Sequence, residues 1–154
     1  MGPITWSWKH FDALESAELY ALLKARAEVF IVEQTCAFLD LDGLDESAWH
    51  LLGWAERDGA RTLAAYLRLI GPGSKYAEPS IGRVLTTGDF RRSGFGREAM
   101  RQGLGRAAAL YPGQELRIGA QQRLERFYEE LGFRTASAPY QEDGIAHVEM
   151  LIAL

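Results

Sequence analysis

A strand that empties into a glycine- and arginine-rich turn and then a helix constrains this chain more than any other feature. Ile81 to Thr87 reads as the strand, Gly88-Asp89-Phe90-Arg91-Arg92-Ser93-Gly94-Phe95-Gly96 as the turn, and the helix-like run extends from Arg97 to Leu110. Such a junction gathers free backbone N–H groups, the positive end of a helix dipole and guanidinium groups at one point. It predicts a pyrophosphate site. The spacing Arg-x-x-Gly-x-Gly differs from the dinucleotide fingerprint Gly-x-Gly-x-x-Gly, and no clear acidic residue about 20 positions on takes the ribose role. The expected ligand is therefore not NAD.

Composition narrows the class. With 154 residues, 47% of them hydrophobic and 25% charged, the chain has the length of one ordinary domain, 1–154, with a sizeable core. A net charge of -4 argues against a nucleic-acid-coating or membrane-surface protein, both of which need a broad basic field. The single cysteine, Cys36, excludes an internal disulfide, and the opening residues lack an export-type pattern, so a cytoplasmic setting is expected. No apolar run approaches the roughly 20 residues that span a bilayer.

Hydrophobic periodicity orders the elements. Thr5 to Lys9 alternates around Trp6 and Trp8 as a strand, and Ser16 is placed as the N-cap of a helix running to Val32, with Leu19, Leu22, Leu23, Arg26 and Phe30 at helical spacing. His50 to Arg57 and Thr62 to Ile70 read as a hairpin over Asp58-Gly59. After the long helix, Leu116 to Ala120 is a strand, Leu124 to Leu131 a short helix ended by Gly132, and Phe133 to Ser137 and Ile145 to Leu151 the last strands. This order predicts one mixed α/β sheet flanked by helices.

Two segments together resemble a known family. Arg91-x-x-Gly94-x-Gly96 behind one strand and Phe127-Tyr128-x-x-x-Gly132-Phe133 behind the next are similar to the paired signatures of the GNAT acetyltransferases. Arg26-x-x-Val29-Phe30-x-Val32-Glu33-Gln34-x-Cys36, Asp42-Gly43-x-Asp45, His50-Leu51-x-Gly53-Trp54 and Glu142-Asp143-Gly144-Ile145-x-His147 resemble the ElaA-type branch, so the likeness covers most of the chain. It implies a single-domain acyl-CoA N-acyltransferase fold with a mixed, mostly antiparallel sheet. The implied activity is acetyl transfer from acetyl-CoA to an amine by direct attack in a ternary complex, without a metal.

Physical chemistry gives the implied residues their roles. Gly94 and Gly96 keep side chains away from the pyrophosphate in the turn that also holds Ser93 and Phe95, while Arg91, Arg92 and Arg97 add charge. Backbone groups of Val84, Leu85 and Thr86 would pair with the pantetheine amides as an added strand. An N–H aimed at the thioester oxygen contributes about 3 to 4 kcal/mol to such reactions. Gln121 stands where many relatives carry Asn, which bears on one cofactor hydrogen bond. Tyr128 is the expected donor to the departing thiolate. A phenol pKa of about 10 against about 8.5 for a thiol makes hydrogen bonding, rather than full proton transfer, its role.

The acceptor side is more open. Glu33, His50 and His147 are candidate bases or relays, and Arg26, Phe30, Gln34, His50, Arg68 and Arg83 are candidates for acceptor binding. Each has a plainer reading: core packing for Tyr128, a solvated turn for Arg91 and Arg92, structural hydrogen bonding for the histidines. For Arg68 and Arg83 it is a salt bridge to Glu33 or Asp45, and for Cys36 burial. The run Asp40 to Asp45 lacks the position-12 glutamate of a calcium loop and reads as a turn or an acidic rim, which favours a cationic small-molecule or peptide amine. An exposed strand edge near the C-terminus favours a homodimer. Two rival readings stand beside this one: an acyl-homoserine-lactone-synthase-like enzyme, separable by acyl-chain selectivity, and a non-catalytic CoA sensor, separable by absence of turnover.

Overall fold

The computed structural model describes residues 3–154. β1 (Thr5–His10), β2 (Trp49–Arg57), β3 (Ala60–Ile70) and β4 (Ser80–Thr86) form an antiparallel meander. The β2–β3 turn is Asp58-Gly59, at φ 50° and 78°, the left-handed pair that a two-residue type I′ hairpin needs. The chain then crosses over through α2 (Phe95–Leu110), so β5 (Glu115–Gln121) runs parallel to β4. β8 (Ile145–Ala153) lies antiparallel to β5, and the short β6 (Arg134–Thr135) and β7 (Tyr140–Glu142) pair with β8. The result is one eight-stranded mixed sheet, mostly antiparallel, as the sequence implies.

Helices cover both faces because successive strand residues point to opposite sides. Leu52, Leu63, Tyr66 and Leu85 form one core with Leu22 and Ala25 of α1 (Ser16–Arg26). Leu51, Leu67 and Ile81 form the other with Ala99, Met100 and Ala107 of α2. β3 is buried on both faces, which explains its nearly continuous apolar run from Leu63 to Ile70. At Gly103 a Cβ would stand 2.9 Å from Leu67 Cδ2, so this glycine marks close packing of α2 on β3.

The first helix differs from expectation at both ends. Ser16 is its first residue and not its cap; Glu15 precedes it and donates its N–H to Glu18 Oε1 at 2.8 Å. The α-helix stops at Arg26, and Ala27–Glu33 continue in wider π turns. The short helix α3 spans Glu125–Glu130 behind a 3₁₀ turn over Gln122–Leu124, and Gly132 at φ 106° ends it. The strand expected over 133–137 shortens to β6. β7 was not foreseen, although its Asp143-Gly144 turn to β8, at φ 52° and 77°, repeats the chemistry of Asp58-Gly59.

Candidate active site

β4 and β5 share a single pairing, Ser80 with Arg117, and then diverge. Beyond it, the β5-facing backbone edge of β4 has no strand partner, and a cleft of about 730 Å³ opens between the two strands. A bulge shapes this edge: Tyr66 opposes Leu85 and Arg68 opposes Gly82, so Arg83 and Val84 together face Leu67. Arg83 takes φ 54°, an uncommon backbone for a residue with a side chain.

One end of the cleft carries the turn into α2. Val84, Leu85, Thr86 and Arg91 line the cleft, and the turn Arg92 to Gly96 continues from Arg91. Arg92 and Gly94 both have positive φ, 62° and 84°, and Gly94 is the residue that opens the helix. Nothing lies within 4 Å of a Cβ built on Gly94, whereas one on Gly96 would touch Thr86 Cγ2 at 3.6 Å. The glycines therefore serve backbone conformation and an open approach rather than internal packing. Ser93 Oγ donates to the Phe90 carbonyl and Arg97 pairs with Glu130 at 3.7 Å. Arg91 pairs with Glu33 across the cleft and donates to the Thr86 carbonyl at 3.3 Å. An anion at this end therefore competes with Glu33 for Arg91.

Tyr128 lines the cleft from α3 and is otherwise enclosed, with Phe127 and Phe133 packed edge-on at 5.1 and 5.7 Å. Burial pushes its phenol pKa up to about 12, so it stays neutral and keeps its O–H available as a hydrogen-bond donor. Gln121 lines the cleft as well and reaches Gln34 on the facing wall at 3.2 Å.

The facing wall consists of the π turns, the segment after them and the β7–β8 hairpin. It brings Phe30, Glu33 and Gln34 to the cleft with His147. His147 Nδ1 is 2.7 Å from the Ile145 carbonyl, an acceptor only, so in the neutral ring the proton sits on Nδ1 and Nε2 carries the lone pair. Glu142 Oε2 lies 3.5 Å from that Nε2. These are the contacts of a proton acceptor whose cationic form has a carboxylate beside it.

Arg26, His50 and Arg68 lie in the interior. They are 0%, 0% and 1% exposed and are not on the cleft wall. Asp45 Oδ1 accepts from Arg26 at 2.6 Å and Arg68 at 2.9 Å. Asp42 holds Arg68, and Asp40 holds Arg26 at 2.9 Å and Arg83 at 2.8 Å. The acidic segment is thus no free rim for a cationic acceptor, since these aspartates are spent on three arginines. Burial alone would raise the Asp42 and Asp45 pKa values, but the arginine hydrogen bonds outweigh it and hold both below the ordinary carboxylate range. His50 spends Nδ1 on the Tyr66 hydroxyl at 2.7 Å and Nε2 on the Asp45 carbonyl at 3.0 Å. Burial lowers its pKa, so it is a neutral structural residue. Arg83 does line the cleft, but with its guanidinium held by Asp40.

Sequence reasoning overlooked cleft residues too. Lys75, Phe38 and Arg123 contribute no motif; the first two are isolated residues in loops and the third lies in the 3₁₀ turn before α3. Glu142 and Asp143 stand in the segment that resembles the ElaA-type branch, and the Asp143-Gly144 turn marks the hairpin that brings them to the cleft. Cys36 is buried as expected, with Sγ 3.2 Å from the Asp143 carbonyl.

A diverging pair of parallel strands, an open strand edge and a glycine turn into a helix are the frame of an acyl-CoA transferase. The acetyltransferase (GNAT) domain profile matches residues 54–154, and the chain belongs to the GNAT acetyltransferase family. It is 42% identical over 148 residues to a UPF0039 protein of Synechocystis, covering 96% of this chain and 94% of that one. It is 35% identical to protein ElaA of Escherichia coli over 96% of this chain and 95% of the other. The ElaA crystal structure superposes with a TM-score of 0.88 at 34% identity, covering 97% and 99% of the two chains. An acyl-CoA N-acyltransferase of Pseudomonas aeruginosa does so at 0.90 and 38% identity, covering 98% and 100%.

Proposed function

We propose that this protein transfers the acetyl group of acetyl-CoA to the amine of a small molecule or peptide, within one domain and by direct attack in a ternary complex. The observation that carries this reading is the open β4 edge facing β5, which ends beside the Arg92 to Gly96 turn. The pantetheine arm pairs with Val84, Leu85 and Thr86 as an added strand, and the pyrophosphate meets the α2 N-terminus with Arg91, Arg92 and Arg97 nearby. Arg91 then exchanges Glu33 for phosphate, which frees the Glu33 carboxylate on the acceptor wall. His147 Nε2 and Glu33 are the candidate proton acceptors, and Tyr128 donates a hydrogen bond to sulfur. With the phenol at about 12 and a thiol at about 8.5, complete proton transfer from Tyr128 to the thiolate is uphill. A reducing cytoplasm suits the lone Cys36.

An acetyl-CoA consumption assay across an amine panel tests the reading, with longer acyl-CoA donors included to measure acyl selectivity. Tyr128→Phe should slow turnover roughly ten- to a thousandfold while acetyl-CoA binding stays nearly intact. Equal turnover where chemistry limits the rate would return Tyr128 to a packing role. Glu33→Gln and His147→Ala should raise the acceptor's KM or shift the pH–rate profile without weakening CoA binding. If neither changes either quantity, the base lies elsewhere.

A further inference from the structure

The acceptor wall looks cationic-selective only while its aspartates are counted as free. Once Asp40, Asp42 and Asp45 are matched with Arg26, Arg68 and Arg83, the cleft's charge is decided by other groups. Lys75 is one of them, on the β3–β4 loop and lining the cleft. Lys75 is solvent-exposed, and among the described residues no carboxylate forms an ion pair with it; Glu142 and Asp42 attract it from further off, while Arg83 and Arg68 repel it. Asp42 is already bonded to Arg68 and Arg83, and Glu142 faces His147. Its ammonium stands 5.7 Å from the Tyr76 ring centre.

Position decides what Lys75 can meet. Thr86 and Arg91 lie at the C-terminal end of β4, whereas Lys75 precedes its first residue, Ser80. Tyr76, the next residue, reaches Gly119 and Arg117 of β5, close to the Ser80–Arg117 pairing, so the phosphate end and the Lys75 end belong to different parts of the bound reactants. An anion at Lys75 is therefore carried by the acceptor. Between the two ends the wall supplies Val29, Phe30 and Phe38 as apolar surface.

We infer that Lys75 anchors a carboxylate of the acceptor, which makes the acceptor a small molecule of the amino-acid class, carrying both an amine and a carboxylate. The inference rests on the acetyl-transfer reading. In the reaction the amine nitrogen forms the C–N bond as the C–S bond breaks. One proton leaves nitrogen for His147 Nε2 or Glu33, and sulfur departs as the thiolate, held by the Tyr128 hydrogen bond, and takes its proton from solvent.

The test compares matched acceptors: amino acids with apolar, acidic or basic side chains, the corresponding amides, and the decarboxylated amines, with polyamines alongside. Wild type should favour at least one free amino acid over its amide by roughly ten- to a hundredfold in kcat/KM, the scale of one charged hydrogen bond. Lys75→Met should erase that preference through KM with kcat nearly unchanged, and Lys75→Arg should keep most of it. Calorimetric acetyl-CoA affinity should be the same in all three proteins. Equal use of acid and amide by wild type, turnover confined to polyamines, or a preference surviving Lys75→Met overturns the carboxylate anchor and leaves acetyl transfer standing. Acetyl-CoA binding without turnover on any amine overturns both.

Discussion

The two walls of the cleft are built by different physics. The cofactor wall is local: a strand, a turn and a helix from one stretch, 80–110, whose conformation follows from glycine placement and hydrophobic period. The acceptor wall is assembled from distant pieces, and what holds its 34–48 segment to the sheet is a set of ion pairs between residues as far apart as Asp40 and Arg83. A wall of the first kind tolerates change outside its motif, whereas a wall of the second depends on every buried charge keeping its partner.

Removing one buried partner is the severest way to break that second wall. Asp45→Ala leaves Arg26 and Arg68, both buried, each short of one carboxylate, and should cost about 3–5 kcal/mol of stability by denaturant unfolding. A loss below about 1 kcal/mol would mean that the aspartate adds little to the wall. The same pairs set an acid limit. Because Asp42 and Asp45 titrate below their unfolded values, their contribution is fully present above about pH 4 and is lost as pH falls through the depressed folded values.

The cofactor wall should fail in binding rather than in folding. Gly94→Glu places a side chain on a residue at φ 84° and a negative charge at the helix end where phosphate is expected. CoA affinity should drop below detection in calorimetry while the protein stays folded. Unchanged affinity in a folded variant would move the phosphate site elsewhere.

This contrast also accounts for what could be read from the chain. The order of strands and helices, the Asp58-Gly59 hairpin and the glycine turn are encoded within short windows, and each was legible. The splay of β4 from β5 was not, because it depends on a register ending at Ser80 and Arg117 across a crossover. Arg68 and Arg83 read as ligand residues because a charge among apolar neighbours needs a partner that sequence does not identify, and Arg26 enters through the family resemblance alone. Arg68 with Asp45 was among the pairings foreseen; the fan of Asp40, Asp42 and Asp45 over three arginines was not. Lys75 was invisible for the opposite reason, since an isolated loop lysine carries no pattern until the fold turns it toward a cleft.

Within the local wall itself, two glycines of α2 separate packing from propensity. Gly105 is exposed and a Cβ there would touch nothing within 4 Å, so Gly105→Ala should stabilise the protein by about 0.5–1 kcal/mol through helix propensity alone. Gly103 has the same intrinsic preference, but its Cβ would meet Leu67 Cδ2 at 2.9 Å and Ile81 Cδ1 at 3.3 Å in the buried core. Overpacking of this kind costs roughly 1–3 kcal/mol, enough to cancel or reverse the propensity gain. Thermal unfolding of the two variants should therefore move in opposite directions or leave Gly103→Ala near wild type. A Gly103→Ala protein stabilised as much as Gly105→Ala would show that the middle of α2 can shift away from β3.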